Sequence, residues 1–455
     1  MTPVPFGTPG RAPDPPVPSG TPGRAPDRRA AVDAAAVELV PAGPVRARLA
    51  APASKSVTNR ALACAALADG DTVLAGPLDS DDAAAMREAA GALGAPVADA
   101  DGAWLVRGTG GRPRSPAGPL DARLSGTTMR FLTALATLTP TGATVSGRPG
   151  LLTRPTGPLT RALAALGARV ADSDGHPPVT AAGGGLAGGT VTVAAAGSSQ
   201  FASAVLLVAP YARAPVRLTA DGLGAPGYVE LTAEVMRWFG AAAERVGEAT
   251  WLVRPCRYQG RTLEVEHDAS AAAHLYALAA ATGGEVTVTN AAPGSRQPDA
   301  RLPELLARMG AAVRRAGTAL TVAGPDVLAP VDADLRAMPD QVTTVAALAA
   351  LAPGTSRLTG VAVVRGHETD RLAALATELA KLGVGVEERP DGLVVHGGRA
   401  AGPARIATHG DHRLAMAFAA VAARVPGVAI ADPGCVDKTY PGFWRDLAAA
   451  GLHPR

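Results

Sequence analysis

Runs of apolar residues at helical spacing recur along the chain, and each run ends in a glycine that is followed by a strand-like segment. These glycines stand 73, 73, 70, 73 and 68 residues apart, at Gly94, Gly167, Gly240, Gly310, Gly383 and Gly451. Glycine after a helix is typical of the left-handed position that ends it. The pattern therefore predicts a helix and then a strand, six times over.

A second marker keeps the same period. Short strand-like segments are spaced 72, 73, 70, 70 and 71 residues apart, near Val73, Val145, Leu218, Val288, Leu358 and Ala429. Two markers in register indicate six copies of one α/β unit, each with about two helices and four strands. A chain of 455 residues favours two domains, so we expect two similar lobes of three units with a ligand cleft between them.

Composition narrows the function classes. The net charge is +3 and the arginines are scattered, so no basic stripe indicates a nucleic-acid partner. The cysteines, Cys64, Cys256 and Cys435, lie far apart, which favours neither a disulfide framework nor a metal site and fits a reducing cytoplasm. No apolar run predicts a membrane span or signal peptide. We expect a cytoplasmic monomer that binds small molecules, without metal or membrane.

The first 34 residues differ from the rest. They are rich in Pro and Gly and contain the segment TPGRAPD twice, at 8–14 and 21–27. Such a composition cannot bury a core, so residues 1–34 are predicted to be a disordered tail.

Lysine is scarce, and its positions are informative. Only Lys55, Lys381 and Lys438 accompany 40 arginines. An ammonium group can shift its pKa and transfer a proton, whereas a guanidinium cannot. Lys55, in SKSVTNR, and Lys438, in DPGCVDKTYPGFW, are therefore candidates for amine chemistry, against the alternative of solvated surface charges. Lys381 precedes a helix-ending glycine and is interpreted as structural.

Several polar motifs stand just before helical runs, where free N–H groups favour anions. They are SKSVTNR, LSGTTMRFL, LLTRPTGPL, GSSQFASAVLL, RGHETDRLAAL and GDHRLAM. Each alone is also explained as a helix cap. Together they bring arginine to five helix starts, which suits a ligand with several phosphates or carboxylates, namely Arg60, Arg130, Arg154, Arg371 and Arg413.

Asp340, Glu368 and His412 are the candidates for acid and base chemistry. A helix cap for Asp340 and a core or cap hydrogen bond for His412 remain alternatives. Residues 222–227 match GxGxxG, but 53 glycines make about one chance match expected, so no dinucleotide cofactor is indicated.

Eight motifs together are more specific. SKSVTNRALACAALA, SGTTMRF, RPTGPL, SSQF, HDASAAAH, ETDRL, DHRLAM and DKTYP occur in the order typical of 5-enolpyruvylshikimate-3-phosphate (EPSP) synthases, and the chain resembles that family from about Val37 onward. The resemblance implies an enolpyruvyl transferase-like fold of six βαβαββ units, with lobes of residues 35–53 plus 267–455 and of residues 54–266. The active site would lie in the cleft between them.

The resemblance also implies a reaction: enolpyruvyl transfer from phosphoenolpyruvate to the 5-hydroxyl of shikimate 3-phosphate, by addition and elimination, without a cofactor. Catalysis would fall to Asp340, Glu368 and Lys55. Phosphoenolpyruvate would be held by Lys55, Gly126, Arg154, Gln200, Arg371, Arg413 and Lys438. Shikimate 3-phosphate would be held by Ser56, Arg60, Ser198, Ser199, Gln200, Asp340 and His367.

The chain departs from the family pattern at four positions, which are Leu124, Val363, His367, and Gly224 or Ala225. The last lacks a phosphate-binding serine, so a paralogous transferase with another phosphorylated acceptor is one alternative. A UDP-N-acetylglucosamine enolpyruvyltransferase is a second, although its usual loop cysteine is absent from 147–156. A non-catalytic anion-binding homologue is a third, disfavoured because binding alone could use arginine in place of lysine.

Overall fold

The computed structural model describes residues 36–40, 43–224 and 226–455. The predicted disordered tail, residues 1–34, lies outside these ranges, and so does Ala225. None of the helices within them combines the length and the apolar character that crossing a membrane requires.

The described ranges contain thirteen α-helices. They are α1 (Lys55–Leu67), α2 (Asp81–Ala92), α3 (Gly126–Ala136), α4 (Pro149–Leu152), α5 (Gly157–Ala165), α6 (Gln200–Val208), α7 (Pro226–Trp238), α8 (Ala269–Thr282), α9 (Leu302–Arg308), α10 (Val342–Leu351), α11 (Arg371–Ala380), α12 (His412–Ala422) and α13 (Phe443–Ala449).

The same ranges contain 23 strands. They are β1 (Ala36–Glu38), β2 (Arg46–Leu49), β3 (Asp71–Ala75), β4 (Val97–Ala100), β5 (Ala103–Arg107), β6 (Leu120–Asp121), β7 (Ala143–Ser146), β8 (Val170–Ser173), β9 (His176–Ala181), β10 (Gly189–Ala194), β11 (Val216–Asp221), β12 (Ala243–Gly247), β13 (Thr250–Val253), β14 (Thr262–Glu264), β15 (Glu285–Val288), β16 (Ala312–Ala316), β17 (Ala319–Ala323), β18 (Asp332–Asp334), β19 (Gly354–Thr359), β20 (Gly385–Arg389), β21 (Gly392–Gly397), β22 (Ala404–Ile406) and β23 (Val428–Ala431).

In the described part of the chain these strands form six small sheets. Five have four strands each, in the orders β14-β3-β5-β4, β6-β7-β9-β8, β10-β11-β13-β12, β16-β17-β15-β2 and β18-β19-β21-β20, and the sixth is β1-β23-β22. Each sheet holds one parallel pair, and its other pairs are antiparallel. The predicted sixfold α/β repeat is confirmed.

The glycines that predicted the repeat adopt the backbone conformation expected of them. All six have positive φ, between 75° and 100°. This region is accessible to glycine at no steric cost, and at the first five glycines it turns the chain from a helix toward the next strand. Gly451 is followed only by an isolated bridge between Pro454 and Leu39. The period in the sequence therefore has a local backbone cause.

Two apolar cores divide the molecule. One is built from residues between Val57 and Val265, and the other from residues 39–51 together with residues between Ala271 and Leu452. At the centre of the first, α1, α3 and α6 pack against one another, and at the centre of the second α8, α10 and α12 do the same. These six helices are buried on almost every side, which their many alanines allow.

The chain passes between the cores twice, and the two passages lie side by side. The Ser54 amide donates to the Glu266 carbonyl at 2.8 Å, and the Asp268 amide donates to the Pro52 carbonyl at 2.7 Å. Strand β14 then completes a sheet with β3, and β2 completes one with β15. We propose that the lobes are residues 54–266 and residues 35–53 plus 267–455, and these pairings support those limits.

Candidate active site

A cavity lies between the two cores, where the inner helices begin. It encloses about 1040 Å³, including the solvent at its mouth. Thirteen of the fourteen residues that the resemblance assigns to catalysis or binding line it, namely Lys55, Ser56, Arg60, Gly126, Arg154, Ser198, Ser199, Gln200, Asp340, His367, Glu368, Arg371 and Arg413. Residues from distant parts of the chain thus meet at one polar cavity.

Lys438 lies behind this wall, in a 3-10 helix (Pro433–Lys438). Its Nζ donates to Oε1 of Glu368 at 2.8 Å and to the Leu124 carbonyl at 3.3 Å. Burial would lower the pKa of Lys438, but the Glu368 and Asp82 carboxylates outweigh it and hold the pKa above its ordinary value. The ammonium is therefore charged at neutral pH and joins the two lobes.

Arg371 connects the acidic groups of the cavity. It begins α11, and its guanidinium is almost fully buried. Nε donates to Oδ2 of Asp411 at 2.7 Å, Nη1 to Oδ1 of Asp340 at 2.6 Å, and Nη2 to Oε2 of Glu368 at 3.0 Å. Burial opposes its charge, yet the three carboxylates raise its pKa above the ordinary value. Arg371 thus fixes the separation of Asp340 and Glu368.

Asp340 lies just before α10, in a 3-10 helix (Pro339–Gln341). Its carboxylate accepts from Arg371 and lies 3.0 Å from Nη2 of Arg413 and 3.2 Å from Nδ1 of His367. The hydroxyl of Tyr228, from the other lobe, donates to it at 3.3 Å. Burial would raise the pKa of Asp340, but Arg413 and Arg371 outweigh it and hold the pKa well below its usual range. Asp340 is an ionised carboxylate able to accept a proton.

Glu368 is the second ionised carboxylate. Besides Lys438 and Arg371, Nη1 of Arg154 lies 3.7 Å from its Oε1. Burial would raise the pKa of Glu368, but these three cations outweigh it and hold the pKa well below the ordinary value. An anionic ligand that attracts the same cations would weaken their hold on Glu368 and raise its pKa.

Lys55 stands at the first position of α1, which Ser54 caps. Its backbone N–H donates to Oδ2 of Asp268 in the other lobe at 3.0 Å, and its Nζ lies 3.2 Å from Oδ2 of Asp82. The ammonium therefore faces the cavity beside a buried carboxylate, in a position to exchange protons with a ligand.

Two buried arginines, Arg60 and Arg130, line the cavity from the lobe that contains α1, and hydrogen bonds hold both side chains in place. Arg60 donates to Oγ1 of Thr232 at 2.7 Å and to two backbone carbonyls, and its guanidinium lies 5.5 Å from the centre of the Phe131 ring. Arg130 donates to the Gly126 and Pro155 carbonyls. Burial lowers the pKa of Arg60 to about 10 and that of Arg130 to about 9, so both stay charged at neutral pH.

Gly126 begins α3 at a point that has no room for a side chain. A Cβ there would lie 2.5 Å from Nη1 of Arg130, 3.1 Å from Nη1 of Arg154 and 3.5 Å from Oε1 of Gln200. A ligand can therefore approach the N-terminus of α3 and both guanidiniums together.

The departures from the family pattern lie at or beside the cavity. Val363, His367 and Gly224 line it, while Leu124 contributes its backbone carbonyl to Lys438. Val363 and Gly224 offer no polar side-chain atom, whereas Nδ1 of His367 accepts a hydrogen bond from Nη1 of Arg371 at 3.0 Å. Ala225 lies outside the described residues.

His412 also lines the cavity, but neither of its ring nitrogens has a hydrogen-bond partner among the described residues. Burial holds its pKa well below the ordinary value, so the imidazole is neutral. The core or cap hydrogen bond considered for His412 is therefore wrong.

Three site residues escaped the sequence interpretation: Asp82, Tyr228 and Asp411. Asp82 reads as an ordinary acidic residue in the first turn of α2, and Asp411 reads as the cap of α12, which it also is. Tyr228 follows the discounted glycine motif. Only their tertiary contacts distinguish these side chains from structural ones. Asp82 contacts Lys55, Tyr228 contacts Asp340, and Asp411 contacts Arg371.

Comparison with known proteins decides the family. The family model for EPSP synthase (3-phosphoshikimate 1-carboxyvinyltransferase) matches residues 40–447. The chain belongs to the EPSP synthase family. It is 42% identical over 416 residues to a 3-phosphoshikimate 1-carboxyvinyltransferase of Methanosphaerula palustris, covering 90% of this chain and 98% of that protein. A protein of the same description from Methanoculleus marisnigri is 41% identical, with the same coverage.

A solved structure agrees with these EPSP synthase relatives. EPSP synthase from Acinetobacter baumannii superposes with a TM-score of 0.78 at 26% identity, covering 92% of this chain and 99% of that one. The predicted two-lobed enolpyruvyl transferase-like fold is thereby confirmed. The comparisons do not favour the paralogue or the non-catalytic homologue considered above.

Proposed function

We propose that this protein is a 3-phosphoshikimate 1-carboxyvinyltransferase. It transfers the enolpyruvyl group of phosphoenolpyruvate to the 5-hydroxyl of shikimate 3-phosphate and releases phosphate. The observation that carries the proposal is the pair of half-buried, ionised carboxylates, Asp340 and Glu368, joined by Arg371 in a cleft lined with cations. This arrangement suits an anionic donor and two separate proton transfers.

The donor, phosphoenolpyruvate, is assigned to the cations between the lobes. Its phosphate and carboxylate are held by Lys55, Arg154, Arg371, Arg413 and Lys438, with Gln200 and the amide of Gly126. Fixed cations in a closed cavity stabilise the charge that develops on the leaving phosphate more strongly than water does. The lack of room for a Cβ at Gly126 supports a ligand that approaches the backbone there closely.

The acceptor is assigned to the adjoining end of the cavity. Its phosphate is held by Ser56, Arg60, Ser198 and Ser199, and its ring hydroxyls by Gln200, Asp340 and His367. The N-terminus of α6 begins at Gln200, directly after the two serines, and favours a phosphate there. Arg60 is held rigidly by three hydrogen bonds, so little side-chain freedom is lost when it binds an anion.

The proton transfers are assigned to the groups that the family resemblance implies, and the charge states of Asp340 and Glu368 support that assignment. Asp340, already ionised, takes the proton of the attacking 5-hydroxyl as its oxygen bonds to C2 of phosphoenolpyruvate. Lys55 protonates the methylene carbon, which becomes a methyl group in the tetrahedral intermediate. Glu368 then removes a proton from that methyl group while the C–O bond to phosphate breaks, and the enol ether forms.

We further propose that the protein acts as a cytoplasmic monomer on small molecules, without a nucleic-acid or membrane partner. Cys64, Cys256 and Cys435 are all free, which supports a reducing compartment. Size-exclusion chromatography with light scattering and cell fractionation test the two statements.

The test of the activity is phosphate release from phosphoenolpyruvate in the presence of shikimate 3-phosphate. Shikimate, which lacks the phosphate, is the matched control, and we expect its kcat/KM to be lower by at least about 100-fold. In D₂O the product methylene gains deuterium, because addition delivers a solvent-derived proton. No phosphate release with shikimate 3-phosphate would overturn the proposal.

A further inference from the structure

A second cavity lies in the lobe that contains α8, on the far side of that helix's N-terminus from the cleft. It encloses about 620 Å³, including the solvent at its mouth. Its walls come from the first two turns of α8, the loop and 3-10 helix at 291–301, the start of α9, and strands β16 and β17. No residue assigned above to phosphoenolpyruvate or shikimate 3-phosphate lines it.

Three buried polar atoms on the walls of this second cavity have no hydrogen-bond partner among the described residues. They are the hydroxyl of Tyr276, a residue only 3% exposed, Nδ1 of His267, a residue 7% exposed, and Oδ1 of Asp299, a residue 2% exposed. A buried polar group without a partner is unfavourable. Three such atoms around one cavity indicate that something else satisfies them, and the Tyr276 hydroxyl is the one that can donate to an anion.

The charges around the cavity point to an anion. Of its four charged residues, Glu304 lies 3.8 Å from Nε of Arg301, and Asp299 lies 3.7 Å from Nη1 of Arg413. Arg315 donates to the Ala291 carbonyl but has no carboxylate within 4 Å in the described part of the chain. The solvent-exposed Arg315 therefore has no carboxylate of its own, and together with the Tyr276 phenol it forms a donor set that a carboxylate prefers.

The rest of the lining is apolar. Ala269, Ala272, Ala291, Pro303 and Leu320 supply methyl and methylene groups. Such a surface favours a compact hydrocarbon body over water, while the few polar groups fix its orientation. A cavity of this size accommodates a ligand of about ten heavy atoms.

We propose that this cavity is a binding site for a small monocarboxylate with an apolar body. The carboxylate pairs with the Arg315 guanidinium and accepts a hydrogen bond from the Tyr276 hydroxyl. The hydrocarbon part lies against Ala272, Pro303 and Leu320.

The position of the site connects it to the cleft. Asp299 lines the second cavity, accepts a hydrogen bond from Ser270 and lies beside Arg413, whose Nη2 is 3.0 Å from Asp340. His267 belongs to the passage between the lobes, where it pairs with Ala53. A ligand in this cavity therefore contacts Asp299, which lies beside Arg413, and His267, which belongs to one of the two passages between the lobes.

The test is calorimetric titration of the full chain with benzoate and with benzamide, its neutral isostere. We expect benzoate to bind with a Kd below about 1 mM and benzamide at least about tenfold more weakly. Arg315→Gln should weaken benzoate about tenfold and Tyr276→Phe about threefold. Arg314→Gln, on the neighbouring position of β16 and paired with Glu285, is the matched control and should bind as the parent protein does.

The cation-rich cleft is the alternative site for benzoate, and the variants distinguish the two sites. Equal affinity of the Arg315→Gln variant and the parent protein would place the ligand elsewhere and overturn the proposal. Absence of saturable benzoate binding at about 1 mM, or an equal loss in Arg314→Gln, would overturn it as well. Circular dichroism and thermal melting show that each variant is folded.

Discussion

Arg371 shows why a guanidinium, and not an ammonium, occupies the centre of the site. Three carboxylates surround it. Its Nη1 pairs with Asp340, its Nη2 with Glu368 and its Nε with Asp411. Lysine has three donors on one atom and could not hold Asp340, Glu368 and Asp411 in separate directions. Because the carboxylates keep Arg371 charged, it in turn helps to keep Asp340 and Glu368 ionised, and these two catalytic candidates are held without a proton.

The Asp340→Asn substitution tests the ionised carboxylate directly. An amide cannot take the proton of the attacking hydroxyl, so we expect kcat to fall by about 100-fold or more. Steady-state phosphate release measures kcat, and calorimetry with shikimate 3-phosphate shows whether binding survives. The control is Asp334→Asn, because Asp334 lies on β18 with an exposed side chain. If kcat stays within twofold of the parent value, Asp340 is not the base.

His274 affects stability through pH. It is buried in α8, its Nδ1 lies 3.4 Å from Oγ1 of Thr344, and burial, with Arg413 and Arg371, lowers its pKa from 6.5 to about 3. Between these values the unfolded chain binds a proton that the folded chain does not. The free energy of unfolding therefore falls as the pH falls from 6.5 toward 3.

We expect His274→Asn to lessen this acid sensitivity. Between pH 7 and pH 5 the variant should lose about 2 kcal/mol less of its unfolding free energy than the parent protein loses. Urea denaturation at each pH measures the difference. His453→Asn, at an exposed position near the C-terminus, should leave the slope unchanged. Parallel pH profiles for parent and His274→Asn would contradict the assignment.

At the scale of elements, the site is built where helices begin. Asp411 caps α12 by accepting from the Arg413 amide at 2.9 Å, and it also pairs with Arg371. Asp370 caps α11 in the same way, but it pairs with the half-exposed Arg365. Asp411 and Asp370 are thus two aspartate caps of the same kind, of which the first belongs to the buried network and the second to the surface.

This pair of caps allows a matched experiment. Asparagine still caps a helix, so Asp411→Asn keeps the start of α12 but removes a charge from buried Arg371. We expect a loss of about 3 kcal/mol, the lower end for breaking a buried pair, because Asp340 and Glu368 still face Arg371. Asp370→Asn should cost less than about 1 kcal/mol. Equal losses in chemical denaturation would show that Asp411 acts only as a cap.

The first residues of the helices could be predicted from the sequence, because a helix cap depends on residues that are adjacent in the chain. Ser54, Ser125 and Asp411 each precede an apolar run, and each caps a helix. Asp82 and Tyr228 could not be assigned, because their partners lie 27 and 112 residues away and no local pattern encodes such a meeting. The sequence shows which residues can do chemistry, and the packing decides which of them meet.

At the scale of the whole molecule, few contacts cross the cleft, and those named here are polar. Arg154 approaches Glu368, Tyr228 donates to Asp340, and Lys438 reaches the Leu124 carbonyl. Small polar interfaces between lobes permit relative motion. The cations that line the cleft repel one another until an anion lies between them, so an anionic ligand should favour the closed arrangement.

Two of the three lysines provide the test of closure. Lys438 donates to the Leu124 carbonyl of the other lobe, whereas Lys381 pairs with Glu378 within its own lobe. We expect shikimate 3-phosphate to reduce the radius of gyration of the parent protein and of Lys381→Met, measured by small-angle X-ray scattering. Lys438→Met should contract less, because it lacks the bond to Leu124.

The same substitution should lower kcat/KM by about 100-fold or more, since a cation fixed beside the leaving phosphate is removed. Both effects have one cause, the position of Lys438 between Glu368 and the opposite lobe. If Lys438→Met contracts as fully as Lys381→Met while activity is lost, the ammonium serves the chemistry alone and the lobes are held together by other contacts.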